Sequence, residues 1–326
     1  MELTHWMRRA GLALLGLAFV AAGHAQDYPG RSVKIIVPYA AGGQGDSSIR
    51  IVANALSQQF GQTFIVENIA GSSGINAVQT LMRAPADGYT LMYNDNGHWA
   101  INPALFKTLP YDTLRDLAPV GLFAQSSLFL VANASFPANN LQELVAAIKA
   151  KPDAYSYASS GVGSPHHLTM EDFKSALGLK VLHVPFRGSA LSVPALVGGE
   201  VPLAIASLPS VQGFVKDGKL KLIAANSKRR SMFAPNVPSM AEAGIPDFDH
   251  AAIIGLFAPA GTPKAVIDRL SAALAKAVAL PDTVSRLAAA GLEPITNNTP
   301  EFLVQTVTAD KARFARIVRI SGATAE

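Results

Sequence analysis

Val33-Lys34-Ile35-Ile36-Val37-Pro38-Tyr39-Ala40-Ala41-Gly42-Gly43-Gln44-Gly45-Asp46 is the stretch from which the fold is read. It opens on a nearly continuous apolar run, as expected of a strand covered on both faces. Glycines then crowd into a short loop. Beyond them Ile49, Val52, Ala53, Leu56 and Phe60 recur at helical spacing, and Gly61 stops the run. Glycine allows positive φ and lets a ligand approach the backbone closely. Asp46 is read as the cap of the new helix, which leaves the other first-turn N–H groups pointing outward. Those amides and the positive helix end suit an anion. Tyr39, Ala41, Gly42, Gly43, Gly45 and Asp46 are therefore candidate ligand-binding residues.

A rival reading of the same stretch is a dinucleotide fingerprint. Gly43-x-Gly45-x-x-Ser48 nearly fits, and Glu67 ends the next strand where a ribose partner would stand. The third glycine is missing, and four residues separate the strand from the glycines where the fingerprint needs an immediate turn. No cofactor is expected.

Working outward, the strand–helix alternation continues. Phe64–Val66, Leu91–Tyr93, Leu128–Ala132, Val181–Val184, Leu203–Ala206, Leu220–Ala225 and Ile253–Ala258 read as buried strands. Leu141–Lys151, Pro165–Leu177, Pro263–Leu280 and Pro300–Arg319 read as helices, with Pro263 and Pro300 in first turns. This predicts an α/β protein with mostly parallel sheets. The 326 residues suffice for two lobes. No linker divides them, so strands are expected to cross between lobes, outward over Val120–Val131 and back near Asp249–Ile254. The expected division is 1–25 as a signal peptide, 26–124 with 252–326 as the first lobe, and 125–251 as the second.

A second loop repeats the pattern of the first. Tyr157-Ala158-Ser159-Ser160-Gly161-Val162-Gly163-Ser164-Pro165-His166-His167 is again strand, Gly/Ser loop and helix start. Ser159, Ser160 and Ser164 add hydroxyl donors to the backbone amides, and Gly163 and His167 join them as candidates. After the third strand, Asn96, Gly97 and His98 offer further polar groups, balanced evenly against an ordinary loop. Arg187 could pair with a carboxylate or brace its own loop, and Ser207 ends a strand near the expected gap. His166 and His167 lack metal-ligand spacing, so no metal site is expected. No G-x-S-x-G elbow supports a nucleophilic serine, and an exported hydrolase of small esters or amides is kept only as the alternative function.

Composition agrees with a globular chain, with 49 % apolar and 15 % charged residues. The formal charge of +4 falls to +3 without Met1–Ala25, which holds Arg8, Arg9 and Glu2. Without clustered Lys and Arg this speaks against a nucleic-acid partner. Arg8-Arg9, an apolar run from Ala10 to Gly23 and the small residues Gly23 and Ala25 describe a signal peptide. The run has 14 residues where a spanning helix needs ~20. There is no cysteine, which excludes disulfides, thiolate chemistry and a lipid-anchored N-terminal Cys.

These motifs resemble the Bug-type receptors of tripartite tricarboxylate transporters from about Tyr28 to Ile320. The resemblance is carried by Ile36–Gly43 with Asp46, Val66-Glu67-Asn68, Pro85–Leu91, Ile101-Asn102-Pro103, Leu109–Asp112, Tyr157–Ser159 with Gly161, Gly163, His167 and Leu168, Val184–Gly188, Leu208–Ser210, Val237–Ser239 and Pro259–Pro263. It implies a type II periplasmic-binding fold, capture of a dicarboxylate or aromatic acid by the two loops partly through ordered water, and delivery to membrane permease subunits. A monomer without enzyme activity is expected. Relatives usually carry Asp where Pro202 and Ala206 stand here, which implies a ligand without an amino group.

Overall fold

The computed structural model describes residues 28–324; the expected signal peptide lies outside them. The chain runs through β1 (Val33–Val37), α1 (Gln44–Phe60), β2 (Phe64–Asn68), α2 (Ile75–Met82), β3 (Thr90–Asp95) and β4 (Leu117–Ser126). It continues through β5 (Leu128–Asn133), α3 (Leu141–Ala150), β6 (Ser156–Ser159), α4 (Pro165–Leu177), β7 (Leu182–Pro185) and α5 (Ser189–Gly198). Then follow β8 (Leu203–Ser207), α6 (Leu208–Lys216), β9 (Leu220–Ala225), β10 (Ala252–Pro259), α7 (Lys264–Ala279), α8 (Pro281–Ala289), β11 (Glu293–Pro294) and α9 (Pro300–Ser321).

Two sheets result, ordered β11-β4-β10-β3-β1-β2 and β7-β6-β8-β5-β9. The expectation of mostly parallel sheets needs correction. β1 pairs in parallel with β2 and β3, and β6 with β7 and β8. The pairings of β10 and β11 and both pairings of β5 are antiparallel. The physical reason is the route of the chain. Strands that carry it from one sheet to the other enter the middle of a sheet against the direction of its βαβ units. An apolar run reports burial on both faces, not the direction of its neighbours.

Burial explains the continuous runs. In the first sheet Ile35 and Val37 pack with Ile49, Leu56 and Leu270. Ile36 faces the other way, towards Val78, Trp99, Val307 and Phe314. In the second sheet Leu128 and Leu130 join Leu144 and Phe173, whereas Phe129 and Val131 join Val193 and Leu196. Each such side chain stabilises the fold by about 1.5–3 kcal/mol when fully buried. Gly61 closes α1 at φ 66, a left-handed position that a Cβ disfavours.

Only Ser127 separates β4 in the first sheet from β5 in the second. The return runs through Asn226–Ala251, where Asn226 N–H donates to Leu128 O (2.8 Å) and His250 N–H to Asn226 O (2.8 Å). Near this crossing, Glu293 Oε1 accepts from Ser127 Oγ (2.8 Å) and Ser231 Oγ (2.6 Å), and its Oε2 from Gln125 Nε2 (3.2 Å). On the other side, α4 meets α9: Asp172 bonds Arg316 (2.6 Å) and His250 (2.8 Å), and Leu168 packs among Phe314 and Ile317.

Candidate functional site

The C-terminal ends of the parallel strands β1 and β3 meet those of β6 and β8 across a cleft, the usual position for a ligand in open α/β sheets. The cleft holds two adjoining hollows of about 400 and 620 Å³. Tyr39, Gly97 and Pro165 line both. In the first, the Gly71–Gly74 loop faces Ser160–Ser164. In the second, the start of α1 faces Tyr93, Asp95, Asn96, Ala252 and Ile254. The two glycine-rich loops singled out in the sequence therefore do open on one gap. Of the expected residues, Tyr39, Ala41, Gly43, Gly45, Asn96, Gly97, His98, Ser160, Gly163 and Ser164 line it.

Six expected residues stand outside both hollows. α1 begins at Gln44, so Asp46 lies inside its first turn and Gly43 takes the cap position. Asp46 is buried and braces the loop: its carboxylate accepts from Gly42 N–H (2.9 Å), Arg50 Nε (2.9 Å) and Asn68 Nδ2 (3.0 Å). The Arg50 hydrogen bond is the chief cause that lowers its pKa to about 2 against the opposing effect of burial. Gly42 N–H, expected as a ligand donor, is thereby committed.

Ser159 is likewise turned inward. Its hydroxyl lies 2.7 Å from His183 Nε2, bonds Gly161 O (3.1 Å) and accepts from Gly161 N–H (3.1 Å). His167 is buried, accepts from Gly163 N–H (3.1 Å) through Nδ1 and stacks on His183 with centroids 4.0 Å apart. Burial holds the His183 ring near pKa 4, with His167 opposing its charge in second place, so this stack is neutral. Ser207 donates to Ser210 Oγ (3.3 Å). Arg187 is exposed, on a loop tied to the second one by Gly188 N–H to Ser160 O (3.2 Å). Among the described residues, Ser160 N–H, Val162 N–H and the Ser164 hydroxyl hydrogen remain available in the second loop, because Ser164 Oγ only accepts, from His167 N–H (3.2 Å).

The structure removes the premise of the inference from Ala206, which needed that position to face the cleft. Ala206 is 4 % exposed and packs with Phe129 and Val193 in an apolar layer. Pro202 precedes β8, at the end away from the cleft, where its carbonyl accepts from Asn133 N–H (2.9 Å). Neither position addresses a ligand.

Sequence reading missed two parts of the site. Gly71-Ser72-Ser73-Gly74 joins β2 to α2 with the same composition as the other loops, which was a legible signal. Ser72 and Ser73 take φ 47 and 50, and Asn102 Nδ2 holds Ser73 O at 2.8 Å. The other part is Asp95 with Tyr93. Asp95 accepts from Tyr39 OH (2.6 Å) and Gly97 N–H (3.0 Å), and His98 Nδ1 lies 2.9 Å away, within ion-pair distance but outside hydrogen-bond geometry. Burial opposes its ionisation, yet His98, Tyr39 and Gly97 together hold its carboxyl below the usual range. No sequence motif pointed to it.

The two-sheet architecture with a cleft at the strand ends defines a binding protein of the periplasmic type. The family described as "Tripartite tricarboxylate transporter family receptor" matches residues 48–322, and the chain belongs to it. A UPF0065 protein of Bordetella pertussis is 36 % identical over 289 residues, 88 % of each chain. Periplasmic binding protein BugD superposes with TM-score 0.73 and 32 % identity, covering 92 % of this chain and all of its own. "R. palustris Rpa4515 with adipate" does so with TM-score 0.77 and 30 % identity, covering 91 % of this chain and 99 % of its own. The protein is a solute-binding receptor of a tripartite tricarboxylate transporter. Among the described residues no helix is long and apolar enough to cross a membrane.

Proposed function

We propose that this receptor is exported with Met1–Ala25 as its signal, captures a small carboxylate between two lobes in the periplasm, and presents it to membrane permease subunits as a monomer without making or breaking a bond. Among the described residues the first lobe comprises 28–126 with 252–324 and the second 127–251, a boundary shifted by two residues from the expected one to follow the sheets. The observation that carries this reading is one cleft onto which amides of both loops open. The first-turn N–H groups of α1 approach from one side, and Ser160, Val162 and Ser164 from the other. An anion bridging them selects the closed arrangement, because it bonds both lobes only there. The adipate bound by the R. palustris relative supports a carboxylate as the ligand.

One geometry favours the hydrolase alternative enough to be weighed. Ser160 Oγ and His166 Nδ1 lie 2.7 Å apart at the cleft wall, like a nucleophile and its base. Burial lowers the His166 pKa to about 4, and no carboxylate bonds its ring among the described residues. Such a ring is a weak base at neutral pH, so binding is the better reading.

A thermal-shift screen over organic acids, confirmed by calorimetry, tests it. At least one carboxylate should raise the melting temperature saturably without being consumed. No shift with any acid, or turnover of an ester abolished in Ser160→Ala, would refute the receptor reading for this cleft.

A further inference from the structure

The cleft is uneven in charge. Across both hollows the lining holds one acid, Asp95, and no Lys or Arg. Among the described residues no Lys or Arg lies within ion-pair distance of it, and His98 is its only ionisable cationic neighbour. The Asp95 side chain keeps 13 % exposure on the wall of the second hollow. Two donors near it are engaged. Tyr39 OH donates to Asp95 (2.6 Å), and Asn96 Nδ2 to Ala251 O (3.0 Å). Tyr93 lines the same hollow. With Tyr39 OH committed to it, the Asp95 carboxylate and the Tyr39 phenolic oxygen offer acceptors at this wall.

A carboxylate is itself acceptor-only. One such group on the ligand is matched by the loop amides. A second finds no Lys or Arg, and it meets Asp95 beside protein walls, where like charges repel more strongly than in bulk solvent. A hydroxyl or ammonium meets acceptors instead.

From these observations we infer that Asp95 sets specificity: the receptor takes an acid with a single carboxylate and a hydrogen-bond donor elsewhere on the molecule, and it rejects dicarboxylates. The inference rests on carboxylate capture in this cleft and narrows it. It also reverses the expectation drawn from Ala206, since the cleft does hold an acid suited to an amino or hydroxyl group. The rings of Tyr39 and Tyr93, 5.9 Å apart, together with Ile254 leave an apolar wall for the body of such a ligand.

Matched probes test this by calorimetry on the mature chain. Succinate is compared with 4-hydroxybutyrate, adipate with 6-hydroxyhexanoate and 6-aminohexanoate, and terephthalate with 4-hydroxybenzoate. In the set that binds, the donor-bearing acid should exceed its dicarboxylate by at least about tenfold, and the amino and hydroxy arms show which donor is preferred. Asp95→Asn, which keeps the size and one acceptor oxygen, should abolish that preference. Tyr39→Phe, which keeps the charge, should retain it. The wild-type comparison stands even if a variant folds poorly. A dicarboxylate bound as tightly as its partner by the wild type, or a preference unchanged in a folded Asp95→Asn, overturns the inference while carboxylate capture survives. Failure of every probe to bind overturns both.

Discussion

Asp46 shows how one side chain can look like a ligand group and act as a brace. At residue scale its position after three glycines was legible, but its role depended on Arg50 and Asn68 reaching the same carboxylate. Its pKa in the folded chain is about 2, below the ordinary 3.8. A depressed carboxyl pKa stabilises the fold fully above the ordinary value, and the contribution is lost as pH falls towards 2. Asp46→Asn should therefore cost about 2 kcal/mol near neutrality and flatten the decline in stability between pH 4 and pH 2, read by urea denaturation across pH. An unchanged acid limb would show that Asp46 is not ionised in a braced site. Ser159 makes the complementary point. Its neighbours in sequence suggested a ligand donor, whereas its partner His183 lies 24 residues away and on another strand. Local composition marks a polar loop; which way each hydroxyl turns is decided by what the fold puts beside it.

At the scale of elements, strand ends and helix starts were the legible features. Periodicity placed β1, β9 and α4 within a residue of their observed bounds, because Pro38 ends the β1 run, Pro165 and Gly178 bound α4, and β9 is a mainly apolar run between polar residues. β4 was read only as part of a crossing, since Pro119 and Gly121 interrupt it; Gly121 is forced by Asn298 O, which a Cβ would meet at 2.3 Å. The joint at Ser127 gained its clasp from β11, a two-residue strand without a sequence signal. Glu293 gathers Gln125, Ser127 and Ser231 there, so its loss leaves three polar groups without that partner. Glu293→Ala should destabilise the chain by about 1–3 kcal/mol in urea denaturation. A loss below a few tenths of that would mean water replaces the carboxylate freely and the clasp is incidental.

At the scale of the whole molecule, segments of the two sheet units approach closely at two rims. Gly163, at φ +74, lies so near Leu105 that a Cβ would stand 2.7 Å from its Cδ1. On another rim Gly291, at φ +72, leaves a Cβ only 2.1 Å from Pro209 Cγ. Both glycines suit a left-handed backbone; Gly291 also meets a rigid proline ring, whereas at Gly163 a larger side chain would have to displace Leu105. Gly163→Val should wedge the first rim open and weaken carboxylate binding more than about tenfold, a cost of ~1.4 kcal/mol. Small-angle scattering should then show no contraction on adding the acid that contracts the wild type. Full contraction in the variant would mean that this rim does not limit closure.

The sequence by itself determined the strand–loop–helix units and the placement of glycine-rich loops at strand ends. It also determined the family, because these are local matters of periodicity, backbone freedom and motif order. Tertiary structure alone decided the antiparallel insertions, which donors stay free, and the company of Asp95. Those depend on distant segments meeting: β10 returning beside β3, His183 beneath Ser159, and Tyr39 reaching across 56 residues to a carboxylate.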